Sequence, residues 1–229
     1  MQSKLNLLGF DTSAAHCAAA LLKGGFLAEE TFLPMQKGQA ENLIPILESL
    51  LKSTYTSWTD LDGIAVGTGP GNFTGIRISV SAARGLALSL KIPVIGVSNF
   101  QLMNHDNPKS SLEKVQILSL PGPLGTAYIQ LFKDDSPLGD AYQMPLDKIC
   151  IDFFNYHEPI VIGYQAKLIA EKLGLNSFEK ELSNIALNLT RIVEKKLMVG
   201  HLHSQRPTPL YIKAADASEA KEGKTPILT

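Results

Sequence analysis

Gly63-Ile64-Ala65-Val66-Gly67-Thr68-Gly69-Pro70-Gly71-Asn72-Phe73-Thr74-Gly75-Ile76-Arg77 runs an apolar strand through a glycine-rich turn into a helix. Gly63 to Gly67 has no alternating polar residue, so both of its faces are expected to be buried. From Ile76 to Leu90 apolar and small residues continue at helical spacing until Lys91-Ile92-Pro93, where proline ends the pattern. Pro93 to Val97 is the next strand. Strand, crossover helix and strand form one α/β unit.

Upstream, the apolar run Leu5 to Phe10 is broken by Asp11-Thr12-Ser13, resumes at Cys17 to Leu22, turns at Gly24-Gly25 and continues as a third strand from Phe26 to Phe32. Ala40, Leu43, Ile44, Leu47, Leu50 and Leu51 recur at steps of three and four, which marks one face of a helix. Pro45 within that pattern predicts a helix starting near Asn42. The first hundred residues therefore read β-β-β-α-β-α-β, the order of a ribonuclease-H-like half-domain.

The polar loop Asn104 to Ser111 sets the expected boundary between a first domain at 1–102 and a second, diverged domain of related type at 103–213. Strands are expected there at Val115 to Leu120, Thr126 to Phe132 and Pro159 to Ile162, and helices at Tyr164 to Leu173 and Leu182 to Val199. Residues 214–229 hold little to bury and read as a polar tail.

The chain has 229 residues, 45 % hydrophobic and 19 % charged, which suits a packed globular core. Its net charge of -1 gives no whole-molecule field for nucleic acid or anionic lipid, although a local basic patch is compatible with it. Cys17 and Cys150 lack CxxC spacing and read as buried thiols. No window approaches the ~20 apolar residues of a membrane helix, and the N-terminal apolar run is too short for a signal segment; a cytoplasmic protein is expected.

The turn Gly67 to Gly75 supports two readings. A loop feeding a helix N-terminus can cradle an anion, which would place a nucleotide or phosphate near Asp11, Thr12, Gly69, Gly71, Thr74 and Gly75. Without the Lys-Ser/Thr ending of a P-loop it can equally be a tight strand-to-helix turn. Asp11 likewise suits a metal or phosphate ligand, or an ordinary turn aspartate. The Leu-rich helix with Leu43, Ile44, Leu47 and Leu51, together with Ser79, Ala82, Ala83 and Leu86 on the next one, could form core alone or core plus a partner-binding face. His16, His105, His157, His201 and His203 make no HxxxH or HExxH pattern and read as structural, so no metal site is expected. No Gly-x-Ser-x-Gly elbow supplies a nucleophile, and no catalytic residue is assigned.

Gly9-Phe10-Asp11-Thr12-Ser13, Gly69-Pro70-Gly71-Asn72-Phe73-Thr74-Gly75-Ile76-Arg77 and Pro93-Val94-Ile95-Gly96-Val97-Ser98 resemble the motifs of the TsaB (YeaZ) family, as does Pro209-Leu210-Tyr211-Ile212-Lys213 near the end. The resemblance implies an actin-like ATPase fold with two domains of mixed sheets flanked by helices. It also implies a non-catalytic partner or scaffold subunit for a TsaD-like catalytic subunit, which transfers threonylcarbamoyl to adenosine 37 of tRNA. A TsaE-like ATPase is a further implied partner, tRNA is met through the complex, and the chain alone could form a homodimer. ATP or ADP with Mg would belong to the partner junction, with no cofactor for the chain alone. The catalytic paralogue's HxxxH is not matched at Lys37-Gly38-Gln39-Ala40-Glu41, and the family's Asp-Ala-Arg type turn is replaced by Ser119 to Gly125.

Against this stand an autonomous actin-like ATPase or kinase, with Asp11 near the metal and the glycine loop near phosphate, and a peptidase, for which no nucleophile, base and orienter can be assembled.

Overall fold

The computed structural model describes residues 5–105, 107, 114–149, 151, 158–200 and 206–212. The expectations for Cys150, His157, His201, His203 and the 214–229 tail lie outside the described residues.

The first sheet has the order β3-β2-β1-β4-β5. Strands β1 (Leu7–Asp11), β2 (His16–Lys23) and β3 (Phe26–Pro34) form an antiparallel meander, and β4 (Gly63–Gly67) and β5 (Val94–Val97) add in parallel on the other side of β1. Helices α1 (Gln39–Ser53) and α2 (Phe73–Leu90) bury Leu43, Leu47, Leu50, Leu51, Ile76, Val80, Ala83 and Ala87 against one face of this sheet. At roughly 25 cal/mol per Å² of apolar area removed from water, side chains of this kind contribute on the order of 2 kcal/mol each.

Helix α1 begins at Gln39, ahead of the expected start near Asn42, and Pro45 lies inside it. The two turns containing Leu43 and Leu47 bury both side chains, a gain large enough to carry the helix across the missing Pro45 donor.

The second sheet has the order β11-β10-β6-β7-β8, with β9 also paired to β7. It is built from β6 (Gln116–Pro121), β7 (Thr126–Lys133), β8 (Ser136–Pro137), β9 (Tyr142–Pro145), β10 (Ile160–Gly163) and β11 (Asn176–Phe178). β6 and β7 are antiparallel, β10 is parallel to β6, and α4 (Ala166–Leu173) crosses over from β10 to β11. β8-β7-β6-β10-β11 thus repeats β3-β2-β1-β4-β5 in reduced form.

Two helices tie the halves together. The short α3 (Asn99–Asn104), spanning the expected boundary after residue 102, carries a Ser98/Gln101 capping box at its start and buries Phe100 and Met103 against Leu118, Leu120 and Ile162 of the second half. At its other end the Lys180 ammonium donates to the carbonyls of Met103 and His105 at 2.9 and 2.6 Å, a cation satisfying a helix C-terminus. Helix α5 (Ile185–Met198) belongs by sequence to the second half but packs Leu189 and Val193 onto the first sheet with Leu7, Leu22, Ala65 and Ile95. That placement follows from the buried runs of β1 and β4, which need a helix layer on both faces. Among the described residues no helix is long and apolar enough to cross a membrane.

Candidate functional site

The glycine loop closes directly onto the end of β1. Thr12 Oγ1 donates to the Gly75 carbonyl at 2.6 Å, and the Asn72 amide donates to the Ser13 carbonyl at 2.6 Å. A Cβ on Gly75 would run into the Thr12 carbonyl oxygen, one on Gly71 into the Ser13 carbonyl oxygen, and one on Gly67 into Oδ2 of Asp11. Three glycines at four-residue steps therefore let Asp11, Thr12 and Ser13 approach the loop, Thr12 and Ser13 backbone to backbone and Asp11 through its carboxylate. Gly69 stands at φ +85, a conformation that glycine alone adopts freely, and precedes a cis bond to Pro70.

Asp11 is 0 % exposed. Its Oδ1 accepts from the Ser13 amide and Ser13 Oγ, both at 2.9 Å, and lies 2.8 Å from His16 Nε2. Oδ2 faces Gly67 and meets no donor among the described residues. The nearby negative charge adds to burial in pushing the Cys17 thiol up to about 11, with burial the larger cause.

This geometry corrects part of the expected nucleotide site. Asp11 and Thr12 are enclosed and committed to the turn that follows β1, Gly71 and Gly75 have their approach space filled by the Ser13 and Thr12 carbonyls, and the Gly75 amide is engaged by Asn72 Oδ1 at 2.9 Å. Thr74 is exposed at the first turn of α2. The expected partner face is corrected as well. Leu43, Leu47, Leu51, Ser79 and Ala83 are buried in the chain's own core, and Ser79 Oγ points back to the Ile76 and Gly67 carbonyls. Ala82 and Leu86 are half-buried and Ile44 is 37 % exposed, so only these three can be touched from outside.

Asn99, not singled out in the sequence, completes the site. Its amide donates to the Gly69 carbonyl at 2.7 Å, and its Nδ2 donates to the Pro70 carbonyl at 2.7 Å and Ser13 Oγ at 3.2 Å. Only 7 % exposed, it leaves Oδ1 without a described partner at the floor of a cleft of about 400 Å³ between the halves. The signal that could have found it is the Ser98-x-x-Gln101 capping box, which starts a helix beside the loop.

The cleft is asymmetric. Ser13, Gly71, Asn72 and Asn99 form its polar wall, and Leu120, Pro121, Pro123, Leu182 and Tyr128 face them. The ATP or ADP and Mg of an actin-like ATPase do not fit these residues: the one carboxylate at the β1 end is sealed in, no charged side chain among the described residues lines the cleft, and two of the facing turn's five residues are prolines, which cannot donate. Among the described residues no group of three His, Cys, Asp or Glu side chains could hold a metal.

Two copies of a ribonuclease-H-like sheet, one diverged, enclosing a cleft at the ends of their first strands define the actin-like ATPase fold. YeaZ from Pseudomonas aeruginosa shares this fold with a TM-score of 0.71 at 21 % identity, covering 91 % of this chain and 100 % of that one. The TsaD family model, tRNA N6-adenosine threonylcarbamoyltransferase, matches residues 24–111. The Escherichia coli tRNA threonylcarbamoyladenosine biosynthesis protein TsaB is 35 % identical over 99 residues, 43 % of this chain and 42 % of that protein. The Buchnera aphidicola (Schizaphis graminum) TsaB is 31 % identical over 125 residues, 53 % of this chain and 58 % of that protein. These matches span about half the length of the curated relatives, and what they show is a similarity to the TsaB (YeaZ) proteins.

Proposed function

We propose that this chain acts in tRNA threonylcarbamoyladenosine biosynthesis as a partner subunit of a TsaD-like catalytic protein, without independent catalysis. The observation that carries the reading is the sealed β1 end: Asp11 is fully enclosed, and the cleft wall opposite is lined by Leu120, Pro121, Pro123, Leu182 and Tyr128, with no charged side chain among the described residues. A scaffold needs a stable first half and an outward helical face, and the exposed remainder of α1 and α2 around Ile44, Ala82 and Leu86 supplies one. Nucleotide and Mg would then be held at the junction with the catalytic partner, where a TsaE-like ATPase would also act. In the partner's absence the same face would make a two-fold homodimer.

The test is affinity co-purification with the TsaD-like subunit of the same cell, alongside calorimetry with ATP and Mg on the chain alone and on the mixture. Ile44→Asp should abolish co-purification and leave the melting temperature of the chain unchanged. Leu47→Ala should destabilise the chain by ~2–5 kcal/mol. Nucleotide binding by the chain alone, with no effect of Ile44→Asp on co-purification, would favour the autonomous ATPase instead.

A further inference from the structure

From Gly63 to His105 the chain holds no Asp or Glu, while Arg77, Arg84 and Lys91 fall within the same stretch. All three side chains are exposed along α2 and at its C-cap, and Arg77 and Arg84 stand two turns apart, about 10 Å along the helix axis. Arg206 joins them from the C-terminal segment, sharing with Arg84 a groove of about 410 Å³ floored by Leu88, Ile92 and Val94. None of the four forms an ion pair with a described carboxylate.

An aromatic platform stands at the N-terminal end of this basic row. The Arg77 guanidinium lies 3.7 Å from the Phe73 ring centroid, its Nε donates to Tyr211 Oη at 2.7 Å, and the two rings are 5.1 Å apart. Phe73 is 52 % and Tyr211 51 % exposed. Among the described residues only Nε is committed, so the terminal nitrogens of Arg77 remain as donors to phosphate, the fork geometry for which arginine is suited.

We propose that this α2–β5 edge is an RNA-binding face, on which a single-stranded tRNA segment lays its phosphates along Arg77, Arg84, Lys91 and Arg206 and stacks a base on the Phe73–Tyr211 platform. Unpaired cations alone would suit an acidic protein or an anionic membrane equally. The half-exposed rings beside them favour a ligand with flat aromatic groups, which single-stranded RNA carries at every residue. The choice of tRNA rests on the proposed role in tRNA modification; the face itself does not.

The experiment is fluorescence anisotropy of the full chain with a labelled tRNA transcript and with its anticodon-loop oligonucleotide, over a salt series. Four phosphate contacts to a single strand give a slope of log K against log salt of about -2.8, so affinity should fall about 50-fold between roughly 50 and 200 mM salt. Arg84→Glu with Arg206→Glu, both at exposed positions, should weaken binding at least tenfold and flatten the slope by about 1.4. Phe73→Leu should weaken binding without changing the slope. The proposal is overturned if tRNA does not bind at ~50 mM salt, if the double variant binds as well as the parent, or if polyglutamate or anionic vesicles bind with equal affinity and slope. Co-purification with the catalytic subunit is read separately, so the loss of one result does not imply the loss of the other.

Discussion

Helix α2 contains two glycines whose replacement by alanine should move stability in opposite directions. At Gly85 a Cβ meets nothing within 4 Å and the residue is exposed. Alanine there gains helix propensity and restricts the unfolded chain, so Gly85→Ala should stabilise by ~0.5–1 kcal/mol. Gly75 gains the same propensity, but its new methyl would strike the Thr12 carbonyl, which is backbone and cannot turn away. Overpacking of that kind costs ~1–3 kcal/mol, and displacing Thr12 also endangers the buried 2.6 Å bond from its Oγ1 to the Gly75 carbonyl, worth ~1 kcal/mol. With the propensity gain subtracted, Gly75→Ala should destabilise by about 1–3 kcal/mol. Urea unfolding at low protein concentration reads both, as shifts in midpoint at constant slope, and in thermal melts each kcal/mol should appear as about 2–4 °C. Equal effects of the two substitutions, or a Gly75→Ala variant as stable as the parent, would refute the backbone-to-backbone account of the glycine signature.

Two further outcomes follow from burial. With the Cys17 thiol raised from an ordinary 9.0 to about 11, the folded chain keeps its proton where the unfolded chain has lost it. The stabilisation this provides is complete below pH 9.0 and is lost progressively as pH rises toward 11, so Cys17→Ala should unfold with a flatter pH dependence across that window. In a Cys150→Ser background a disulfide reagent at pH 8 should label the native chain no faster than it unfolds. Lys180→Met should cost ~1–3 kcal/mol by leaving the α3 carbonyls without their cation, and hydrogen exchange at His105 should rise more than at Ala65 in the centre of β4.

The first half was legible because its signals are local and redundant. Gly63 to Gly67 and Ile76 to Leu90 each state one period, and their order leaves few topologies to consider. Pro45 misled the boundary of α1, since burial of Leu43 and Leu47 outweighs one lost backbone bond. The partner face was overdrawn for the same reason. Periodicity marks which side chains avoid water, and Leu47 or Ala83 satisfies that equally under a sheet or under another protein. The location of α5 was not legible, because its amphipathic pattern does not say which sheet it covers. Neither was Asn99, whose role depends on contacts to Ser13 and Pro70 that are 86 and 29 residues away.

The relation between the two halves bears most directly on what the cleft presents to a ligand. They share a strand order but not a turn between their first two strands. In the first half that turn is Asp11-Thr12-Ser13, folded against a glycine loop that follows β4. In the second it is Pro121-Gly122-Pro123-Leu124-Gly125, closed on itself by Thr126 Oγ1 to the Pro123 carbonyl at 2.6 Å and the Gly122 amide to the Thr126 carbonyl at 3.0 Å. A phosphate-holding turn needs several amides aimed at one point, and two prolines in five residues remove two of them. Of the three amides that remain, that of Gly122 is spent inside the turn, and Leu124 projects fully into solvent. Replacing Pro121 and Pro123 would therefore not restore a phosphate site, since the facing Asp11 would still be sealed beneath Gly67. The two turns thus differ each through its own residues, the first by enclosing Asp11 and the second by its two prolines.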